Sequence, residues 1–184
     1  MALILSAASG NFNAGATWVG GIVPGASDEA RASTGHTVTI TANVTCTELS
    51  NAGTGTFVLN SGVTLTANVT NKSTTASVNC LTFSAASPAT ANIVGICTGG
   101  SVAAATGVLN NGTGSLSVTG AAVGGSFSSA AGLVLGSSGS VTLTGNATAS
   151  TGGGAGNASS GTGTFTVNGN VLAAANNGAF NNGA

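Results

Sequence analysis

Apolar and polar residues alternate in short runs along most of the chain, and similar runs recur at a regular spacing. Three copies, GTGSLSVTG, GSSGSVTLTG and GTGTFTVNG, end at Gly120, Gly145 and Gly169, which are 25 and 24 residues apart. The alternating apolar residues of the three copies are Leu116 and Val118, Val141 and Leu143, and Phe165 and Val167. A period of two is typical of a β-strand with one buried face.

The length of the repeat indicates which β-fold the chain adopts. A unit near 24 residues is too long for one β-hairpin and too short for a propeller blade, and it fits one turn of a solenoid with about three short strands. We therefore predict an all-β fold, a parallel β-helix (β-solenoid) with rungs of about 24 residues. Residues 1–34 are predicted as an N-terminal cap or entry segment and residues 35–184 as solenoid repeats. An antiparallel β-sandwich or jelly roll, which also has many short strands, is the alternative.

Charge is scarce, and its scarcity fits a solenoid. Charged residues make up 3% of the chain, against roughly 25% in ordinary domains. Equivalent residues of successive rungs stack about 4.8 Å apart, so a charge repeated at every rung would repel its neighbours. A net charge of −1 lacks the clustered Lys and Arg of a nucleic-acid binder. No apolar run approaches the ~20 residues that span a bilayer. We therefore predict neither nucleic acid nor membrane as a partner.

The segment TWVGGIVPG has the composition expected of a cap. The first rung of a solenoid would otherwise expose an apolar end and unpaired strand edges. Trp18 is predicted to be a flat apolar lid, with Gly20 and Gly21 allowing close approach of the backbone. Pro24 and Gly25 are predicted to form a turn that folds the segment back over the first rung.

The ionisable residues near the cap do not form a catalytic pattern. Asp28, Glu29 and Arg31 of the segment SDEAR are predicted to make local ion pairs or turn hydrogen bonds. His36, the only histidine, is predicted to bond the backbone at a strand edge, just before the first regular strand, GHTVTI. Asp28 and Glu29 are adjacent and would face opposite sides of a strand, and Glu48 is the only other carboxylate. We predict no catalytic residue, no metal ligand and no cofactor.

The three cysteines, Cys46, Cys80 and Cys97, are far apart and lack the close pairs of a zinc site. They are predicted to be small buried hydrophobic residues. One disulfide with one free thiol is the alternative.

The pattern T-W-x-G-G-x-x-P-x-x-x-D, followed by G-H-T-V-T-I, resembles the entry segment of β-helical proteins in phage tail fibres, tailspikes and bacterial surface proteins. The matching positions are Thr17, Trp18, Gly20, Gly21, Pro24, Asp28 and Gly35–Ile40. The run DEARAS departs from the family pattern, which continues with an apolar strand.

This resemblance implies a setting as well as a fold. The expected function is that of a structural virion protein of a bacteriophage, either a fibre, a spike or a capsid decoration subunit without enzymatic activity. The expected partners are further copies of the chain, most plausibly in a trimer, other virion proteins and a host-surface glycan. A bacterial cell-surface adhesin or surface-layer protein is the alternative, with an extracellular location. A carbohydrate depolymerase would require catalytic residues elsewhere in a longer parent chain.

Pairs of threonines separated by one residue recur and raise a further hypothesis. They are Thr37 and Thr39, Thr64 and Thr66, Thr142 and Thr144, and Thr164 and Thr166. Such pairs would form a flat threonine array like those of ice-binding solenoids. Strand propensity alone also favours threonine at these positions. The uneven spacing of the pairs along the chain counts against an array, so ice binding ranks below the structural function.

Overall fold

The computed structural model describes residues 1–127, 130–149, 157–159, 162–172 and 180–182. Within them, twenty strands form two sheets in which all neighbouring strands run parallel, and the only helical elements are two short 3₁₀ turns, Gly15–Thr17 and Val19–Gly21. The predicted all-β parallel solenoid is confirmed. The parallel pairing excludes the antiparallel sandwich.

The strands lie on three faces, and from the second turn onward the chain passes from face 1 to face 2 to face 3. Face 1, the eight-stranded sheet, consists of β2 (Gly10–Asn11), β4 (Thr37–Ile40), β6 (Thr56–Leu59), β8 (Leu81–Phe83), β11 (Val108–Asn110), β14 (Leu133–Leu135), β17 (Asn157–Ser159) and β20 (Phe180–Asn182). Face 2 contains β9 (Thr90–Val94), β12 (Ser115–Thr119), β15 (Ser140–Thr144) and β18 (Thr164–Asn168). Face 3 contains β1 (Leu3–Leu5), β3 (Glu29–Ala32), β10 (Cys97–Thr98), β13 (Ala122–Val123), β16 (Ala147–Thr148) and β19 (Val171–Leu172).

Two long strands join faces 2 and 3 into one twelve-stranded sheet. They are β5 (Val44–Asn51) and β7 (Thr64–Thr70). The first part of β7, residues 64–66, pairs with β9 on face 2, and its last part, residues 69–70, pairs with β10 on face 3. In later turns the corresponding segment is divided into two strands.

The core consists of columns in which each inward residue stacks on its equivalent one rung away. One column on face 1 contains Val38, Phe57, Leu81, Val108 and Leu133. Its counterpart on face 2 contains Leu65, Ile93, Val118, Leu143 and Val167. Face 3 contributes smaller residues, Leu49, Val69, Cys97, Ala122 and Ala147. Burial of each larger side chain contributes ~1.5–3 kcal/mol to folding, so the columns are the main source of stability.

Glycine occupies the corner between faces 2 and 3 in successive turns. Gly95, Gly120 and Gly145 all have positive φ angles, of 155°, 151° and 144°. A Cβ atom at Gly120 would collide with the carbonyl oxygen of Gly95, and one at Gly145 with that of Gly120. The glycines that end the sequence repeats are therefore required where backbones of adjacent turns meet.

All three cysteines are buried and free. Burial raises the pKa of the Cys46 and Cys97 thiols to about 12, and it raises that of Cys80 as well. They pack as small hydrophobic residues, and the alternative with one disulfide is wrong.

The sheets begin within the segment 1–34, which sequence analysis assigned to the cap. Strands β1, β2 and β3 precede the segment GHTVTI, so β4 is not the first strand. The departure DEARAS is itself the strand β3, in which Ala30 and Ala32 are fully buried. Alanine has a low strand propensity, and this explains why the alternation of apolar and polar residues did not predict β3.

Candidate functional site

Trp18 lies at the N-terminal end of the apolar core and is only 2% exposed. Its indole Nε1 donates a hydrogen bond of 2.6 Å to the carbonyl oxygen of Phe12. The two aromatic rings pack edge to face, with centroids 5.1 Å apart, an arrangement that stabilises by ~0.5–1.5 kcal/mol beyond burial. An isolated bridge joins the backbone of Trp18 to that of Ser6. The tryptophan is thus held by its ring, its polar atom and its backbone.

The residues after Trp18 turn the chain back toward the first strand. Gly20 and Gly21 have φ angles of 73° and 72°, which only glycine adopts readily. Pro24 is buried. Asp28 closes the following turn, because its carboxylate accepts hydrogen bonds of 3.1 Å from the N–H groups of Gly25 and Ala2. These bonds lower the pKa of Asp28 and join the turn to the chain's first residues.

The imidazole ring of His36 bonds a side chain, while its main-chain N–H and C=O bond the backbone of Ser33 and Thr56. Its Nδ1 shares a hydrogen bond of 2.8 Å with the hydroxyl of Ser6. That hydroxyl also accepts a hydrogen bond of 2.8 Å from the N–H of Ser33. His36 lies at the edge of β4, as expected from the sequence. Its main chain bonds the backbone as expected, but the partner of its ring is the buried hydroxyl of Ser6.

Four of the five charged residues meet in one cluster on the outward side of face 3. Glu29 and Glu48 are register partners on β3 and β5. Lys72 lies against both, at 2.9 Å from Glu29 and 3.0 Å from Glu48. Arg31 contacts the same Glu29 oxygen at 2.7 Å, and the Ser50 hydroxyl donates to it at 2.6 Å. The local ion pair between Arg31 and Glu29 was expected from the segment SDEAR. The contacts with Lys72 were not predicted, since 43 residues separate Glu29 from Lys72.

The electrostatics of this cluster keep its buried carboxylate ionised. Burial opposes ionisation of Glu29, but hydrogen bonds from Ser50, Lys72 and Arg31 outweigh it and lower the pKa of Glu29 to about 2. Burial also opposes the charge of Lys72, yet its two glutamate partners raise its pKa. A glycosidase acid needs a raised carboxyl pKa instead. The cluster is therefore suited to joining adjacent turns rather than to proton transfer.

An apolar groove of about 410 Å³ opens beside the first strand. Leu3, Leu5, Val19 and Ile22 line it, and each is between 40% and 62% exposed. Asp28 lies at its border. Exposed apolar clusters of this kind mark interaction surfaces. The apolar run ALIL was its only signal in the sequence.

The outward side of face 2 is an uncharged grid, which we call the face-2 grid. Its first column contains Thr90, Ser115, Ser140 and Thr164. Its second column contains Thr64, Asn92, Ser117, Thr142 and Thr166. Its third column contains Thr45, Thr66, Val94, Thr119, Thr144 and Asn168. Val94 is its one apolar member.

Face 1 has a different outward surface. Its central column contains Thr39, Val58, Thr82, Leu109 and Val134, all half-buried. The Leu109 side chain lies over Gly136, where a Cβ atom would be 3.1 Å from its Cδ1. The apolar members of this column, Val58, Leu109 and Val134, form an apolar stripe that Thr82 interrupts between Val58 and Leu109.

Among the described residues, no three His, Cys, Asp or Glu side chains are grouped as metal ligands would be. In the same part of the chain, the helical turns are too short to cross a bilayer. Comparisons with protein-family models, with curated proteins and with solved structures find no match to this chain.

Trp18→Ala is expected to lower the free energy of unfolding by ~3–5 kcal/mol, because it removes the ring at the end of the core and leaves the Phe12 carbonyl without its partner. Urea unfolding followed by circular dichroism measures the loss. In the wild type, the single tryptophan should fluoresce in the blue and resist acrylamide quenching. Two results together would contradict the cap role. They are rapid acrylamide quenching of Trp18 in the wild type and an unfolding free energy of Trp18→Ala equal to that of the wild type.

Glu29 is expected to make the protein sensitive to acid. Its folded-state pKa of about 2 lies below the ordinary value of 4.5. Its contribution is therefore complete above pH 4.5 and is lost as pH falls from there toward 2. The shift corresponds to ~3 kcal/mol. Unfolding free energies measured between pH 6 and pH 2 should fall less steeply in Glu29→Gln than in the wild type.

The matched control for this prediction is Asp28→Asn, which removes the neighbouring carboxylate, one that is more exposed than Glu29. It should change the pH dependence less than Glu29→Gln does, because solvent screens exposed charges. Equal slopes in the wild type and Glu29→Gln would show that the cluster does not stabilise the fold.

Proposed function

We propose that this chain is a structural virion protein of a bacteriophage, a β-helical fibre, spike or capsid decoration subunit without enzymatic activity. The observation that carries the proposal is the parallel solenoid whose outward faces are almost free of charge. Four of the five charged residues are paired with one another near the N-terminal end. The entry-segment resemblance to phage fibres and tailspikes supports the same setting.

The proposed role is mechanical. Backbone hydrogen bonds join each rung to the next, and the apolar columns fill the interior, so the stack does not depend on charge. Interactions between uncharged groups are little affected by salt, whereas exposed ion pairs are screened by it. A particle component that meets changing media benefits from that independence.

Copies of the chain are proposed to pack through face 1 as a trimer. Its apolar stripe, formed by Val58, Leu109 and Val134, is half-buried in the single chain. Contact with the same stripe of another copy would remove the remaining apolar area from water. The groove at Leu3 and Leu5 is a separate surface, and we assign it to contact with another virion protein.

A bacterial cell-surface adhesin or surface-layer protein is the second candidate. The entry segment around Trp18 resembles bacterial surface proteins as well as phage proteins. The same uncharged faces suit an array outside the cell, and a host-surface glycan is a candidate partner in both settings.

Location separates the two candidates. We expect peptides of this chain in density-purified phage particles, at the abundance of a structural component, when the particles are analysed by mass spectrometry. Digestion should use elastase, because trypsin cuts only after Arg31 and Lys72. Recovery only from the cell-surface fraction of uninfected bacteria would overturn the virion assignment and favour the adhesin.

The purified chain provides an independent readout. Light scattering after gel filtration should give three times the monomer mass of 17.0 kDa. Leu109→Lys should shift the mass toward the monomer, because it places a charge in the stripe. Thr148→Lys, on the outward side of face 3, is the matched control and should leave the mass unchanged. A monomeric wild type would contradict the assembly through face 1.

A further inference from the structure

The strand register brings three of the four threonine pairs onto face 2, whereas Thr37 and Thr39 lie on β4 of face 1. Thr64 and Thr66 stack on Asn92 and Val94, and further along the same two columns lie Thr142 and Thr144. The intervening positions are filled by the β12 residues Ser117 and Thr119. The uneven spacing along the sequence therefore disappears in the fold, because loop lengths differ between turns while the columns stay aligned.

The spacing of this surface repeats in two directions. Neighbouring strands lie about 4.8 Å apart, and alternate residues along one strand lie about 6.6–6.8 Å apart. Side chains of the face-2 grid therefore form a lattice of short polar groups. In its first column, the Ser140 hydroxyl donates to that of Ser115 at 2.8 Å.

Buried apolar residues pack directly behind the face-2 grid and hold its strands in place. The inward residues between its columns on β12 and β15 are Leu116, Val118, Val141 and Leu143, each at most 1% exposed. Tightly packed interiors fix the strands above them. A β-branched threonine also has few rotamers, so Thr119, Thr142 and Thr144 present their hydroxyl and methyl groups at nearly fixed positions.

The side chains of the face-2 grid and its flat shape indicate which kind of ligand it can bind. It contains neither an ionised side chain nor an aromatic ring, and it is an open sheet face rather than a pocket. Individual small ligands are bound in concave sites, which this face does not supply. A periodic solid can instead contact many equivalent positions at once, so that weak contacts add. Ice offers water molecules at repeated positions that bond to hydroxyl groups.

We propose that the face-2 grid binds the surface of ice crystals. Its hydroxyl groups hold a layer of water in register with the crystal, and the threonine methyl groups limit the other orientations of that water. This binding is separate from the proposed assembly through face 1, and it requires face 2 to remain uncovered.

The experiment measures inhibition of ice recrystallisation and thermal hysteresis with the full chain. Growing ice crystals should be faceted, and recrystallisation should slow relative to the same mass of serum albumin. Thr144→Lys should raise the protein concentration needed to inhibit recrystallisation by about tenfold or more, because its long charged side chain holds the ice away from neighbouring grid positions. Thr144→Ser, which retains the hydroxyl, should lie between this variant and the wild type.

Thr148→Lys adds the same charge to face 3 and should match the wild type in every ice assay. Circular dichroism should show that all the variants are folded. Activity no greater than that of albumin, or equal losses in Thr144→Lys and Thr148→Lys, would overturn the proposal. A lower mass in solution for Thr144→Lys would also overturn it, because face 2 would then be a contact between copies. None of these results depends on whether the chain is found in virions.

Discussion

Parallel stacking in register is the constraint on which the rest of this structure depends. Each residue meets its own equivalent one rung away, so every choice of side chain is repeated in space. Apolar residues become continuous columns, as from Leu65 to Val167. At the corner from Gly95 to Gly145, glycine must recur because the backbone of one turn leaves no room for a Cβ atom in the next.

The same constraint explains where charge is found. Glu29 and Glu48 are stacked like charges, a pair that repels unless cations lie between them. Lys72 bridges the two carboxylates and Arg31 neutralises the first. A second such pair would need its own bridging cations. The chain instead continues past Lys72 with neutral residues, and its outward columns consist largely of hydroxyl and amide side chains.

Much of the fold was predictable because the repeat and the alternation report the same geometry. The copies ending at Gly120 and Gly145 are neighbouring turns, and their apolar residues face inward. The contacts of Lys72 with Glu29 and Glu48, and the arrangement of three threonine pairs on face 2, were not predictable, since both depend on register between strands of unequal separation. Val38 pairs with Phe57 only 19 residues later, whereas the partners on β12, β15 and β18 are 25 or 24 residues apart.

Buried polar residues show a second limit of sequence reasoning. Asn110 occupies an inward position of face 1, where an apolar residue is expected, and is fully buried. Its amide donates to the carbonyl oxygens of Gly114 and Ser140 at 3.2 and 3.0 Å, and its oxygen accepts from the N–H of Gly112. The asparagine bonds the backbone of its own loop and that of the adjoining turn, a role that alternation alone does not reveal.

The most direct test of the stacking places nitroxide labels on Ser117→Cys and Thr142→Cys, which are register partners on adjacent strands. The control pair is Ser117→Cys and Thr166→Cys, which lie two strands apart. The account predicts strong dipolar broadening of the frozen-solution electron paramagnetic resonance spectrum for the first pair and much weaker broadening for the second, whereas equal broadening, or more in the control, would contradict it.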